Sequence, residues 1–97
     1  MTKGTKPVNA EVSLLGTVTL ISAGTEVDVE IFDTPECSSL AYAVRKGFDG
    51  GYIVEDDDNK VRVVRLDGSV VLAMGDPEDY ILRAGDKAFI AKIHGNG

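Results

Sequence analysis

The sequence predicts an α+β fold, in which an antiparallel, strongly bent β-sheet or partial barrel of about six to eight strands carries one short helix. Three observations favour this class. Apolar runs rich in β-branched residues recur along the chain, with glycine-containing turns between them. Only one stretch, at about 35–46, has helical spacing of its apolar residues. No linker, repeat or low-complexity tract divides the 97 residues. An all-β sandwich or barrel is the alternative fold.

The first elements follow from local pattern. Residues 1–10 are polar and without periodicity, which predicts a flexible N-terminal arm ahead of a single domain at 11–97. The apolar run at 14–21, a turn that contains Gly24, and an alternating run at 27–31 predict a first β-hairpin. Its second strand carries acidic side chains on one face and apolar ones on the other, as expected for a sheet with one face in water.

The helix at about 35–46 has recognisable ends. Asp33 or Thr34 is placed to cap its first turn, Pro35 suits that turn, and Gly47 is placed to end it. Because residues at i, i+3, i+4 and i+7 share a helix face, the expected packing face consists of Cys37, Leu40, Ala41 and Val44.

A central hairpin is predicted at 61–74, where two apolar runs flank Asp67 and Gly68. This dipeptide favours a two-residue type I′ turn, which would place Leu66 opposite Ser69. In that register the core face carries Val61, Val63, Arg65, Val70, Leu72 and Met74, and the opposite face carries Arg62, Val64, Leu66, Ser69, Val71 and Ala73. Since the second face is also mostly apolar, we expect it to be covered by a helix, a second sheet or another protein.

Two further pairings are expected. The strand at 52–55 would pair with 61–66 across an acidic tip and extend the central hairpin into a meander. The strands at 80–82 and 87–93 would form a closing hairpin around the turn at 83–86.

Composition limits the class of partner. A net charge of −6 and a pI near 4.6 argue against nucleic-acid binding, which needs a basic face, so a charged protein partner should be basic. One cysteine allows no internal disulfide and favours a cytoplasmic location. No apolar run approaches the roughly 18 residues that span a bilayer, so no membrane partner is expected.

No group of residues has the spacing of a catalytic, cofactor or metal site, and none is expected. The acidic run at 55–58 lacks the alternation of a calcium loop, so we interpret it as a solvated hairpin tip. Cys37 and His94 are the only thiol and imidazole, but the place of Cys37 on the packing face of the helix predicts a buried, unreactive thiol. The glycines at 47–51 follow the helix, whereas a phosphate-binding loop precedes one.

The expected function is therefore a non-catalytic protein-interaction or self-associating module, with a homodimer as the expected assembly. Its interface is expected to include Arg62, Val64, Leu66 and Val71 on the second hairpin face, with Phe48 and Tyr52 as further aromatic contacts. The alternative is a small-ligand-binding β-barrel, in which the same face would line an apolar cavity.

Overall fold

A computed structural model describes residues 12–54 and 61–94 and confirms an α+β fold, with a mixed, mostly antiparallel sheet that does not close into a barrel. In this part of the chain the strands are β1 (Leu14–Ser22), β2 (Thr25–Phe32), β3 (Tyr52–Ile53), β4 (Val61–Val64), β5 (Val70–Ala73), β6 (Lys87–Phe89) and β7 (Ile93–His94). A 3-10 turn (Pro35–Cys37) precedes helix α1 (Leu40–Gly47). The predicted arm at 1–10 and the acidic run at 55–58 lie outside the described residues.

Five strands form the main sheet in the order β2-β1-β6-β4-β5, and β3 and β7 form a separate pair. The pairing of β1 with β6 is parallel, which differs from the wholly antiparallel sheet predicted. Parallel neighbours need a long crossover connection, and the helix together with β3, β4 and β5 supplies it here. The chain thus returns to place β6 between β1 and β4.

The first hairpin forms as predicted. Ser22 pairs with Thr25, and both intervening residues have positive φ, at 50° for Ala23 and 82° for Gly24. Two successive residues of this kind define the type I′ turn, whose twist suits a two-residue hairpin loop.

The helical region differs from the prediction because it is broken after Cys37. Residues 38–39 bond to another segment: the Leu82 N–H donates to the Ser38 carbonyl over 2.8 Å, and Ser39 forms an isolated bridge with Ile81. The Ser39 hydroxyl then caps α1 by accepting from the Tyr42 N–H. Since the helix restarts here, its buried residues are Leu40, Ala43 and Val44, and the expected packing positions of Cys37 and Ala41 are only half-buried.

Both of the later hairpin predictions are wrong. Strand β3 pairs with β7, so that Tyr52 lies opposite His94, and it does not pair with β4. The segment at 80–82 meets residues 38–39 instead of β6, which is already bonded on both sides by β1 and β4. Closeness in sequence suggested these hairpins, but the neighbours of each strand are set by non-local packing.

The central hairpin exists, but its predicted turn and register are wrong by one residue. Val63 pairs with Val71 and Arg65 with Ser69, where the Arg65 N–H donates to the Ser69 carbonyl over 2.8 Å. The Gly68 N–H donates back to the Arg65 carbonyl over 2.9 Å, and only Gly68 in this loop has positive φ, at 89°. This geometry is a type I turn followed by a glycine bulge, in a three-residue loop.

The core lies between the main sheet and α1. Its buried apolar side chains are Val18, Leu20, Val29, Ile31, Leu40, Ala43, Val44, Val61, Val63, Leu82, Ala88 and Ile90. A Cβ atom at Gly47, the last residue of α1, would lie about 3 Å from side chains of β1 and β2, which shows how closely the helix approaches the sheet. In the described ranges, no helix has the length and apolar character needed to cross a membrane.

Candidate interaction surface

The face of the main sheet turned away from α1 is named here the outer face. The strand register assigns to it Glu26, Asp28 and Glu30 of β2; Thr17, Thr19 and Ile21 of β1; Lys87 and Phe89 of β6; Arg62 and Val64 of β4; and Val70 and Leu72 of β5. The outer face is thus divided into an acidic side on β2 and an apolar side on β4, β5 and β6, with threonines between them.

The apolar side is exposed. Val70 and Leu72 keep 57% and 51% of their surface accessible, and Leu66 and Met74, which flank β5, keep 81% and 69%. An exposed apolar patch of this kind is typical of a surface that contacts another molecule.

A shallow cleft of about 450 Å³ opens on the same surface. It is lined by Ile21, Ala23, Arg62, Leu72, Phe89, Ile90 and Ala91. The Arg62 guanidinium lies 5.6 Å from the centre of the Phe89 ring, so this positive group is held over an aromatic face. The cleft therefore offers apolar walls with one cation at their edge.

Strand β5 is one of the two edges of the main sheet. Hydrogen-bonded and non-bonded pairs alternate in an antiparallel ladder, and Arg65 with Ser69 is a bonded pair. The N–H and C=O groups of Val71 therefore point toward β4, and those of Val70 and Leu72 point to the free edge. Residues 69–74 contain no charge and no proline, two features that commonly protect an edge from pairing.

A buried ion pair anchors the loop of the central hairpin. The Arg65 Nη1 atom lies 2.7 Å from Asp86 Oδ2, which also accepts from the Arg83 N–H over 2.8 Å. Arg65 Nη2 donates to the Tyr80 hydroxyl over 3.1 Å. Asp86 is only 1% exposed, and its second oxygen has no hydrogen-bond partner within the described residues. This cluster ties the end of β4 to the turn at 83–86, and the sequence carried no sign that Arg65 and Asp86 would meet.

The interface residues expected from sequence do not form one cluster. Arg62 and Val64 lie on the outer face as expected, and Leu66 is exposed in the adjoining loop. Val71 lies on the opposite face of β5 and is 37% exposed, because the register differs from the predicted one.

The two aromatic residues of the expected interface lie elsewhere. Phe48 is half-buried against the core. Tyr52 lies on β3, where its ring is 5.2 Å from that of His94. Sequence reasoning missed four residues of the outer face: Val70, Leu72, Ile21 and Phe89. A three-residue loop with a glycine bulge at Gly68 would have shifted the register by one residue and placed Val70 and Leu72 on this face.

No catalytic arrangement is built around the thiol in the part of the chain that the structure describes. Cys37 is half-buried in the 3-10 turn, and no hydrogen bond joins it to His94 among these residues. Burial raises the pKa of Tyr42, and its electrostatic interaction with the nearby Cys37 adds to this effect. Over ranges 12–54 and 61–94, no three His, Cys, Asp or Glu side chains come together as metal ligands.

Comparisons with known proteins add no assignment. No protein-family model, no curated protein and no solved structure matches the chain. The functional conclusion therefore depends on the geometry of the outer face and of the β5 edge.

Proposed function

We propose that this protein is a non-catalytic interaction module that self-associates, and that a second copy contacts the exposed apolar residues of β5. The observation that carries the proposal is the exposure of Val70 and Leu72 beside an uncharged edge strand. Apolar surface removed from water contributes about 25 cal/mol per Å², so covering these side chains favours association. A cytoplasmic location suits such a module, since its one thiol forms no disulfide within the chain.

The distribution of charge favours a second copy of the chain, and not a strongly charged protein, as the partner. The acidic side chains of the outer face lie on β2, at the opposite edge of the sheet from β5. Residues 69–74 carry no charge that would repel the same segment of another copy. The charged residues of the apolar side are Arg62 and Lys87, so a basic protein partner would meet no matching acidic patch there on the outer face.

The cleft beside Arg62 supports a second candidate function, the binding of a small apolar ligand that carries an anionic group. Its volume of about 450 Å³ is within the range of ligand sites, and Arg62 would bind the anion. Because the sheet does not close, such a ligand would bind on an open surface and not inside the barrel that the sequence had suggested.

Light scattering over a range of protein concentrations tests self-association. We expect the unaltered chain to form dimers, and Leu72→Lys to give folded monomers, because it places a charge on the covered surface. Thr17→Lys is the matched control, since it adds the same charge to an exposed position of the same face on β1, between the acidic and apolar sides. It should remain dimeric.

Circular dichroism checks that both variants are folded. An unaltered chain that remains monomeric at high concentration contradicts self-association. In that case, binding of a fatty acid by the unaltered chain but not by Arg62→Ala would favour the ligand function.

A further inference from the structure

We propose that the second copy pairs with strand β5 edge to edge, in antiparallel orientation about a two-fold axis at Val71, and so joins two five-stranded sheets into one. This inference rests on the proposed self-association and specifies how it occurs. Strand β5 is exposed on both faces. Val70 and Leu72 face outward and Val71 faces the side of α1, yet all three are exposed.

A copy stacked on the outer face would cover Val70 and Leu72 and leave Val71 in water. A strand beside β5 would instead place a neighbouring side chain about 5 Å from each of the three residues, on both faces at once. Edge pairing is thus the arrangement that gives all three residues an apolar neighbour.

The hydrogen-bonding pattern of the free edge fits a second β5 strand. Val70 and Leu72 present their N–H and C=O groups there. This follows because bonded and non-bonded pairs alternate along the ladder, starting from the bonded pair of Arg65 and Ser69. An axis at Val71 places Val70 opposite Leu72 of the second copy, and the two residues exchange both hydrogen bonds. The same bonds recur across the axis, and the register uses only residues of Val70–Ala73, the strand that already exists.

The chain carries a net charge of −6, so two copies associate only where their acidic groups are far apart. In the joined sheet the two β2 strands lie at the far ends, since β2 and β5 are opposite edges. With a strand spacing of about 4.8 Å, the two acidic rows are roughly 40 Å apart. This separation is several times the Debye length of about 8 Å at physiological salt, so the rows do not oppose the pairing.

Proline substitutions test the edge directly. Leu72→Pro removes an N–H that points to the free edge, where proline is tolerated within a sheet, and should weaken dimerisation about thirtyfold because each dimer loses two hydrogen bonds. Glu30→Pro is the matched control. Because bonded and non-bonded residues alternate along β2, the Glu30 N–H points away from β1, to the free edge of β2 at the opposite side of the sheet. It should leave the dimer intact, and Leu72→Thr, which keeps the N–H but loses apolar surface, should weaken the dimer less than Leu72→Pro.

Hydrogen exchange provides a second readout that does not depend on a variant. The amides of Val70 and Leu72 should be protected at dimer concentrations and exchange rapidly on dilution, whereas the Val71 amide, bonded to β4, should be protected at both concentrations.

The two levels of the proposal fail differently. A monomeric unaltered chain overturns self-association itself. A dimer that Leu72→Lys disrupts but Leu72→Pro does not, with Val70 and Leu72 amides that exchange rapidly in the dimer, overturns edge pairing and leaves an association through the outer face.

Discussion

The two edges of the main sheet are each formed by a hairpin, and the two hairpins are built differently. The hairpin of β1 and β2 has strands of 9 and 8 residues, whereas β4 and β5 have 4 residues each. Strand β2 places three acidic side chains on the outer face, and β5 places Val70 and Leu72 there. One edge is therefore protected from pairing by like charge, and the other is not.

The turn type of each hairpin is the opposite of the one that its central dipeptide favours. Asp-Gly is the stronger signal for a type I′ turn, yet that turn forms at Ala23-Gly24 and not at Asp67-Gly68. The long first ladder, with a buried face on β1 and β2, sets its own register and requires Ala23 to adopt positive φ. In the short second ladder, the Asp67 carboxylate accepts from the Ser69 N–H and hydroxyl, and this local bonding stabilises the alternative loop.

The largest expected effect concerns what holds the shorter hairpin. Asp86→Ala should lower the free energy of unfolding by about 3–5 kcal/mol, because it leaves the Arg65 guanidinium without its partner in a largely buried site. Glu78→Ala is the control, since it removes the exposed ion pair with Arg45 and should cost about 0–1 kcal/mol. Urea denaturation measures both values, and equal costs would mean that Arg65 and Asp86 do not anchor the hairpin.

Valine at either turn glycine should have the next largest effect. Gly24→Val and Gly68→Val should each cost about 1–3 kcal/mol, because both positions have positive φ, which a β-branched residue rarely adopts. Nothing lies within 4 Å of an added Cβ atom at either position, so the cost arises from the backbone alone. Unchanged thermal unfolding of Gly68→Val would exclude a positive φ in this loop.

An asparagine scan should separate the two turn types. Ala23→Asn should stabilise the protein by about 1 kcal/mol, because asparagine tolerates the left-handed conformation that alanine adopts at a cost. Asp67→Asn should bring no such gain, since Asp67 does not have positive φ. Thermal unfolding of both variants provides the measurement, and an equal gain at both sites would restore the type I′ turn predicted for Asp67 and Gly68.

The smallest expected effect is a titration shift in the second loop. Hydrogen bonds from the Ser69 side chain and backbone hold the pKa of Asp67 below its ordinary value. A lowered pKa in the folded state means that this stabilisation is present above the unfolded pKa and is lost as the pH falls through the folded value. Ser69→Ala should raise the Asp67 pKa partway to normal in an NMR titration, and an unmoved pKa would show that the hydroxyl does not contribute.

Part of the site could be predicted from sequence because it depends on local pattern. The apolar character of both faces at 61–74, the glycine with positive φ at 68 and the presence of an exposed apolar surface all follow from residues close in the chain. Which of Val70 and Val71 faces outward could not be predicted, because a change of one residue in loop length reverses every side chain of β5.

The sequence by itself determined the α+β class, the first hairpin and the one short helical region, since periodicity, caps and turn residues act over a few positions. Only the tertiary structure decided that β6 lies between β1 and β4, that β3 pairs with β7, and that Arg65 meets Asp86. These are contacts between residues far apart in the chain, and they are set by packing and by the hydrogen bonds available in the folded sheet. The same packing left β5 as an uncharged edge, which is the feature from which we infer the function.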